Sequence, residues 1–244
     1  MAQPSPTRYL DLVEFQQNPE RRCPALLLID TSASMQGDAI DEVNAGLRQF
    51  EQDLKADPLA SLRVDVAVLA FGGGVQAMDV RGGTSHGVAP DAATAFVTAD
   101  AFAAPTLLAS GDTPMGSAVR TGLHLLRQRK DLYKQAGIGY YRPWLILVSD
   151  GQPTDADWEM AAADAAWEES QNGVIVFPIA VDQADTATLG RFSGSRAPLR
   201  LKSISQFGEL FRWLSGSLSA VANSRPGEQV GLPPVTGWST IDPN

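Results

Sequence analysis

The chain has 244 residues, 44% of them apolar, enough to bury a sizeable core and a fit for one α/β domain with short extensions. Its formal net charge of −9 argues against a nucleic-acid partner, whose phosphates call for a basic face. A single cysteine, Cys23, excludes an intrachain disulfide and fits a reducing cytosol. No apolar run approaches a membrane span and Met1-Ala2-Gln3-Pro4 does not open a signal peptide, so a cytoplasmic location is expected.

Residues 1–23 mix Pro4, Pro6 and Pro19 with Tyr9, Leu10, Leu12, Val13 and Phe15. They read as an arm with a few apolar anchors, with an edge strand over Tyr9 to Phe15. Ala25-Leu26-Leu27-Leu28-Ile29 is a short apolar run of the kind that forms a strand buried on both faces. It ends in Asp30-Thr31-Ser32-Ala33-Ser34-Met35. Ile40, Val43, Leu47, Phe50 and Leu54 then mark one face of an amphipathic helix, predicted from Asp38 to Lys55 and ended by Asp57-Pro58. A carboxylate and two hydroxyls at alternate positions thus sit where a buried strand feeds a helix, the edge at which open α/β sheets bind ligands. The same residue types are common N-caps and turn formers, so this loop by itself serves either purpose.

Leu62 to Ala70 sets Val64, Val66 and Val68 against Arg63 and Asp65, which predicts a strand with one wetter face. Gly72-Gly73-Gly74 follows. A dinucleotide fingerprint needs a helix after its glycines, whereas Val75 to Val80 looks like another strand, so the glycines read as a hairpin turn. Arg81 to Ala95 is rich in Gly, Ala and Thr without apolar period and reads as an exposed inserted loop. His86 lies in it, and neither His86 nor His124 has a partner at ligand spacing. Gly111-Asp112-Thr113-Pro114-Met115-Gly116 leads into a helix expected over Pro114 to Tyr133, with Pro114 at its first position.

Trp144-Leu145-Ile146-Leu147-Val148 is a second buried-strand run, ending in Ser149-Asp150-Gly151-Gln152-Pro153-Thr154-Asp155. A helix over Ala156 to Gln171 follows, with Trp158 and Trp167 as core or interface aromatics. Next come a strand over Val174 to Val181, a short helix near Asp185 to Phe192, a strand near Pro198 to Leu201 and a last helix from Gln206 to Val221. Strands alternating with helices imply a doubly wound, mostly parallel sheet flanked by helices on both faces. Residues 223–244 carry Pro226, Pro233, Pro234 and Pro243 and are expected to lie outside the core, with Trp238 as their one anchor.

Three loops therefore offer Asp30, Ser32, Ser34, Thr113 and Asp150, hard oxygen ligands that suit a small dication such as Mg²⁺, with Mn²⁺ or Ca²⁺ as alternatives. The combination of DxSxS, a later Thr, and an Asp after a hydrophobic strand resembles the metal-ion-dependent adhesion site of von Willebrand factor A domains. The resemblance runs from about Pro24 to Val221. The blocks Asp30 to Met35, Gly111 to Gly116 and Tyr140 to Asp155 are most similar to bacterial TerY-type proteins of tellurium-resistance and stress operons. Asp112, where a small residue is common, and the segment 81–95 depart from the broad family pattern.

The resemblance implies a Rossmann-like fold in which the two serines and the threonine contact the metal directly and the aspartates act partly through water. It also implies a non-enzymatic module that engages an acidic side chain, Asp or Glu, of a partner protein through the cation. For TerY-type proteins those partners include kinase-like and phosphatase-like operon neighbours. The alternative is a metal-dependent hydrolase or phosphatase on the same edge. Against it, Ser32 stands where a haloacid-dehalogenase phosphatase needs a second Asp. There is no Gly-Lys-Ser/Thr phosphate loop, and neither histidine lies in a loop that clearly converges on the serines.

Overall fold

The apolar run before Asp30 forms β1 (Cys23–Asp30), every residue of it buried, as a strand covered on both faces must be. A 3₁₀ turn (Ala33–Met35) connects it to α1 (Asp38–Ala56), whose Ile40, Val43, Leu47, Phe50 and Leu54 face inward. This computed structural model describes residues 15–182, 184–225, 228–235 and 239–241. Asp57 then accepts bonds from the amides of Leu59 and Ala60 and starts a further short helix, α2 (Pro58–Arg63), where the sequence pattern predicts only a stop. The chain continues through β2 (Val64–Phe71), β3 (Val75–Met78), β4 (Gly87–Val88), α3 (Ala92–Ala95) and β5 (Val97–Thr98). Then come α4 (Met115–Ala136), β6 (Trp144–Ser149), α5 (Trp158–Ser170), β7 (Ile175–Ala180), α6 (Thr186–Gly190), β8 (Leu199–Leu201), α7 (Phe207–Asn223) and β9 (Ser239–Ile241).

These strands form one sheet in the order β4-β3-β2-β1-β6-β7-β8-β9, with β5 also pairing β2. The neighbours β2, β1, β6, β7 and β8 run parallel, while β3, β4, β5 and β9 pair antiparallel at the flanks. Alternate residues of β1 feed two cores. Leu27 and Ile29 pack with Val43, Leu47, Phe211 and Leu214 of α1 and α7, and Leu26 and Leu28 pack with Val119, Leu123 and Leu126 of α4. The expected doubly wound α/β arrangement is thus observed. After β1 the chain turns to β2 on one side, and later to β6 on the other. The carboxyl ends of β1 and β6 therefore flank the switch point of the sheet.

Four expectations need correction. The wetter face assigned to β2 is not wet: Asp65 is fully buried, 2.7 Å from Nη2 of Arg129 and 3.4 Å from Nε of Arg22, and accepts the Tyr133 hydroxyl at 2.5 Å. A buried ionic cluster produces the same apolar–polar alternation as solvent exposure. The segment 81–95 is also not simply exposed, since β4 pairs β3, Ala92 and Ala95 are buried, and Arg81 donates to the Phe96 carbonyl at 3.0 Å. At the amino end Phe15 opens a helical turn at residues 15–17 and packs edge-on against Tyr133; the rest of the expected edge strand lies outside the described residues. Of the two tryptophans expected as core or interface aromatics, Trp158 lies with its ring 6.0 Å from that of Phe192 and Trp167 is 61% exposed, neither against that expectation.

The carboxyl-terminal segment is the fourth. Trp238 lies outside the described residues, but Leu232 and Val235 pack on the core, Pro233 accepts the Trp213 indole N–H at 2.8 Å, and β9 pairs β8. Without periodicity, a segment that docks as single contacts leaves no pattern to read. Deleting residues 228–244 should therefore lower stability by about 2 kcal/mol or more, the burial worth of one or two large apolar side chains. Urea unfolding of the truncated and full chains checks this, and equal midpoints would mean that the segment merely rests on the surface. Among the described residues no helix is long and apolar enough to cross a membrane.

Candidate metal centre

Register places the first donors. Asp30 ends β1 level with Phe71 of β2, and Ile29 pairs with Val148 of β6, so Asp30 and Ser149 meet at the carboxyl edge. Ser149 Oγ donates to Asp30 Oδ2 at 2.5 Å, and the Ser32 amide donates to Asp30 Oδ1 at 2.8 Å. The hydroxyls of Ser32 and Ser34 lie 3.0 Å apart, and Ser34 Oγ donates to Asp150 Oδ1 at 2.9 Å. Thr113 closes the group. A Cβ built on Gly151 would stand 3.4 Å from Thr113 Oγ1 and 3.9 Å from Asp30 Oδ2, so glycine there keeps a methyl group away from both oxygens. All five sequence-predicted residues therefore share one edge: Asp30, Ser32 and Thr113 are buried, Asp150 half-buried and Ser34 exposed.

The loops are held together by backbone contacts that sequence reading missed. Ser110 N donates to Thr31 O at 2.7 Å, Ala33 N to Gly111 O at 2.9 Å, and Gly73 N to Asp112 O at 3.0 Å. Thr154 joins the third loop to the second, accepting the Thr113 amide at 3.1 Å through its hydroxyl and donating its own amide to Thr113 O at 2.9 Å. Asp155 is not a free edge carboxylate. It accepts the amides of Gly116 at 3.1 Å and Ser117 at 2.7 Å, capping α4 across the loop in place of Pro114, which has no side-chain acceptor. Ser149 carried no signal beyond being the last, polar residue of an apolar strand. The glycine run did turn a hairpin between β2 and β3, as expected, and does more besides.

A Cβ on Gly72 would lie 2.1 Å from Thr31 O and 2.6 Å from Ser110 O, both main-chain atoms. Gly72→Ala must therefore push the first two loops apart. We expect a loss of about 1–3 kcal/mol, typical of overpacking, and a weakened thermal response to Mg²⁺. An unchanged response measured by differential scanning fluorimetry would show that the loops tolerate the separation.

The electrostatics are compatible with a bound cation. Burial pushes the Asp30 carboxyl up to about 6, against the bonds from Ser149 and Ser32 that favour its ionised form. Asp150 is likewise raised by burial, with the Asp182 charge adding to it. Neither is in an ion pair with Lys, Arg or His among the described residues. Nor do three His, Cys, Asp or Glu side chains cluster there, so the donor set is two carboxylates and three hydroxyls. That set fits a hard dication: the two carboxylates balance its charge, and the small neutral oxygens add ligands. A serine nucleophile on this edge would need a histidine base. Ser32 and Ser34 bond instead to each other and to Asp150; His86 approaches Thr84 in an exposed turn, and His124 is exposed on α4.

The sequence profile of the von Willebrand factor type A domain matches residues 26–212. No curated protein matches the chain. Among solved structures it is similar to a von Willebrand factor type A protein from Catenulispora acidiphila, at 14% identity over 82% of this chain and 43% of that one, with a TM-score of 0.60. It is also similar to proximal thread matrix protein 1 of the mussel byssus, at 17% identity over 82% and 48% of the two chains, TM-score 0.56. A third is the vWF domain of the type V pili tip protein Mfa5 from Porphyromonas gingivalis, at 10% identity over 86% and 99%, TM-score 0.55. The chain thus spans less than half the length of the first two solved relatives and nearly all of the third. At these identities the likeness establishes the fold.

Proposed function

We propose, from the premise that this chain belongs to the von Willebrand factor type A domain family, that its loop edge is a metal-dependent protein-binding site. Domains of this family generally mediate metal-dependent protein interactions. The observation that carries the reading here is the pair of carboxylates, Asp30 buried and Asp150 half-buried, without a cationic side chain among the described residues and joined through the hydroxyls of Ser32 and Ser34. Asp30 and Asp150 supply two negative charges, while Ser32, Ser34 and Thr113 supply neutral oxygens. Mg²⁺ held there would offer a coordination position to an Asp or Glu side chain of a partner. Asp112, exposed beside Thr113, repels that incoming anion within a Debye length of about 8 Å and sets part of the selectivity.

In this reading the protein assembles others rather than transforming a substrate. The likeness of its three loop blocks to TerY-type proteins favours a cytoplasmic scaffold in a tellurite or chemical stress response, with kinase-like and phosphatase-like neighbours as the partners. The test is capture from native lysate with Mg²⁺ and with chelator, followed by calorimetry on the captured partner. Thr113→Ala removes a proposed ligand and should weaken binding by about 10- to 100-fold or more, since losing an outer partner of a ligand already costs that range, and Asp112→Asn should tighten it. Binding that survives both chelator and Asp30→Ala would place the partner elsewhere and end the proposal.

A further inference from the structure

Trp144 and Ile175 begin β6 and β7, so they lie at the amino edge of the sheet, opposite the loops of Asp30 and Asp150. Here the segment 228–235 runs back along α7, held by the Trp213–Pro233 hydrogen bond, with β9 on β8 beyond it. Two adjoining cavities lie against this segment, of about 420 and 250 Å³, and they share Phe177, Arg196 and Leu232. The larger is apolar apart from Arg196, being lined by Phe177, Leu199, Trp213, Leu232 and Val235 among others. Its size falls in the range of small-molecule sites.

The smaller chamber adds Arg142 and Arg225, with Glu228 as its one acid. The combined lining thus holds three arginines and one glutamate in a chain whose net charge is −9. Arg196 lies over the Phe177 ring at 5.1 Å and donates to Glu169 Oε1 and Ser195 Oγ, each at 2.9 Å. Arg142 donates to Asn172 Oδ1 at 3.1 Å and to the Glu169 carbonyl at 2.5 Å, while its Nε–H is buried without an acceptor. The Glu169 carboxylate is already occupied by Val176 N, Ser193 Oγ, Gly194 N and Arg196. The three guanidinium groups that line the chambers favour an anion that can approach a planar fork of donors.

We propose that this double cavity binds an apolar carboxylate, its hydrocarbon part in the chamber of Phe177, Leu199, Trp213 and Val235 and its carboxylate among Arg142, Arg196 and Arg225. The site is independent of the metal edge. The test is calorimetry of the full chain with submicellar decanoate, and with decanol and decylamine as neutral and cationic counterparts. Decanoate should bind saturably at one site, decanol about tenfold or more weakly, and decylamine not at all. Val235→Trp should fill the larger chamber and abolish binding. Arg142→Gln and the exposed Arg225→Gln should each weaken decanoate while leaving decanol unchanged, with circular dichroism reporting the fold. Failure of decanoate to bind wild type, equal binding of decanol, or undiminished binding to Val235→Trp would each overturn the proposal.

Discussion

In chelator at pH 7.5, Asp30→Asn is expected to raise the thermal midpoint of the protein, and to abolish the further rise expected of the wild type in Mg²⁺. A mutation at the heart of the proposed site should stabilise because Asp30 is buried at 0% exposure with no cationic side chain among the described residues to balance its charge. Its folded value of about 6 stands above the ordinary 3.8. The folded state therefore holds this proton more tightly than the unfolded state. The stability that the proton contributes is fully present below about 3.8 and is lost as pH rises through about 6. Keeping the carboxylate charged in this buried place costs the fold about 3 kcal/mol at neutral pH. An amide recovers part of this and gives back some through weaker bonds from Ser149 and Ser32, so a net gain of about 1–2 kcal/mol is expected.

Mg²⁺ bound at the proposed site is expected to reverse the balance in the wild type by favouring the carboxylate, stabilising by about 2.7 kcal/mol at a hundredfold excess over the dissociation constant. Depressed carboxyls such as Glu169 and Asp185 lose stability in acid, so the comparison must be made as wild type minus variant across pH 4–7.5. In chelator the gap between the two should close and then reverse as pH falls through about 6 toward 4. Lower stability of Asp30→Asn in chelator at pH 7.5, with an intact response to Mg²⁺, would show that Asp30 is a structural acceptor for Ser149 and Ser32 alone.

Arg129→Met should cost about 3–5 kcal/mol, the range for stranding a buried charge, and lower the midpoint by roughly 10 °C for a chain of this size. Asp65 and Arg129 are both fully buried, and Arg129 reaches Asp65 Oδ2 through Nε at 3.1 Å and Nη2 at 2.7 Å. Arg22 stands 3.4 Å from the other oxygen without hydrogen-bond geometry, so it cannot replace those bonds. Burial and the Asp65 charge also hold the Tyr133 hydroxyl well above the usual phenol range, keeping it protonated and donating. The ring of Phe15 covers both guanidiniums, at 5.5 and 5.1 Å, which ties the amino-terminal segment to this cluster. Urea unfolding measures the loss, and the double change Asp65→Leu with Arg129→Met should cost less than Arg129→Met alone. Since the cluster sits at the amino end of β2, the Mg²⁺ response should survive in both. A cost below about 1 kcal/mol would mean that water reaches Asp65 once the arginine is gone.

The sequence by itself determined the α/β class, the central strands and the long helices, because strands buried on both faces and helices with one apolar face impose periods that no tertiary contact need supply. It also placed Asp30, Ser32, Ser34, Thr113 and Asp150 on loops that such a sheet must bring to one edge, and the structure does gather them there. Only tertiary structure decided what holds those loops. The Ser149 bond to Asp30 depends on β1–β6 register, and the approach of Gly72 to Thr31 and Ser110 depends on where two separate chain segments cross. Neither leaves a period in the chain. The same holds for Asp65, whose alternation with valines predicts solvent until Arg22, Arg129 and Tyr133 arrive from 43, 64 and 68 residues away in the chain. It holds again for residues 228–235, whose docking includes an indole hydrogen bond and a few apolar contacts. Periodicity reports which face of an element is apolar. What fills the other face is decided by partners distant in sequence, and that is where this chain built both its ionic cluster and its double cavity.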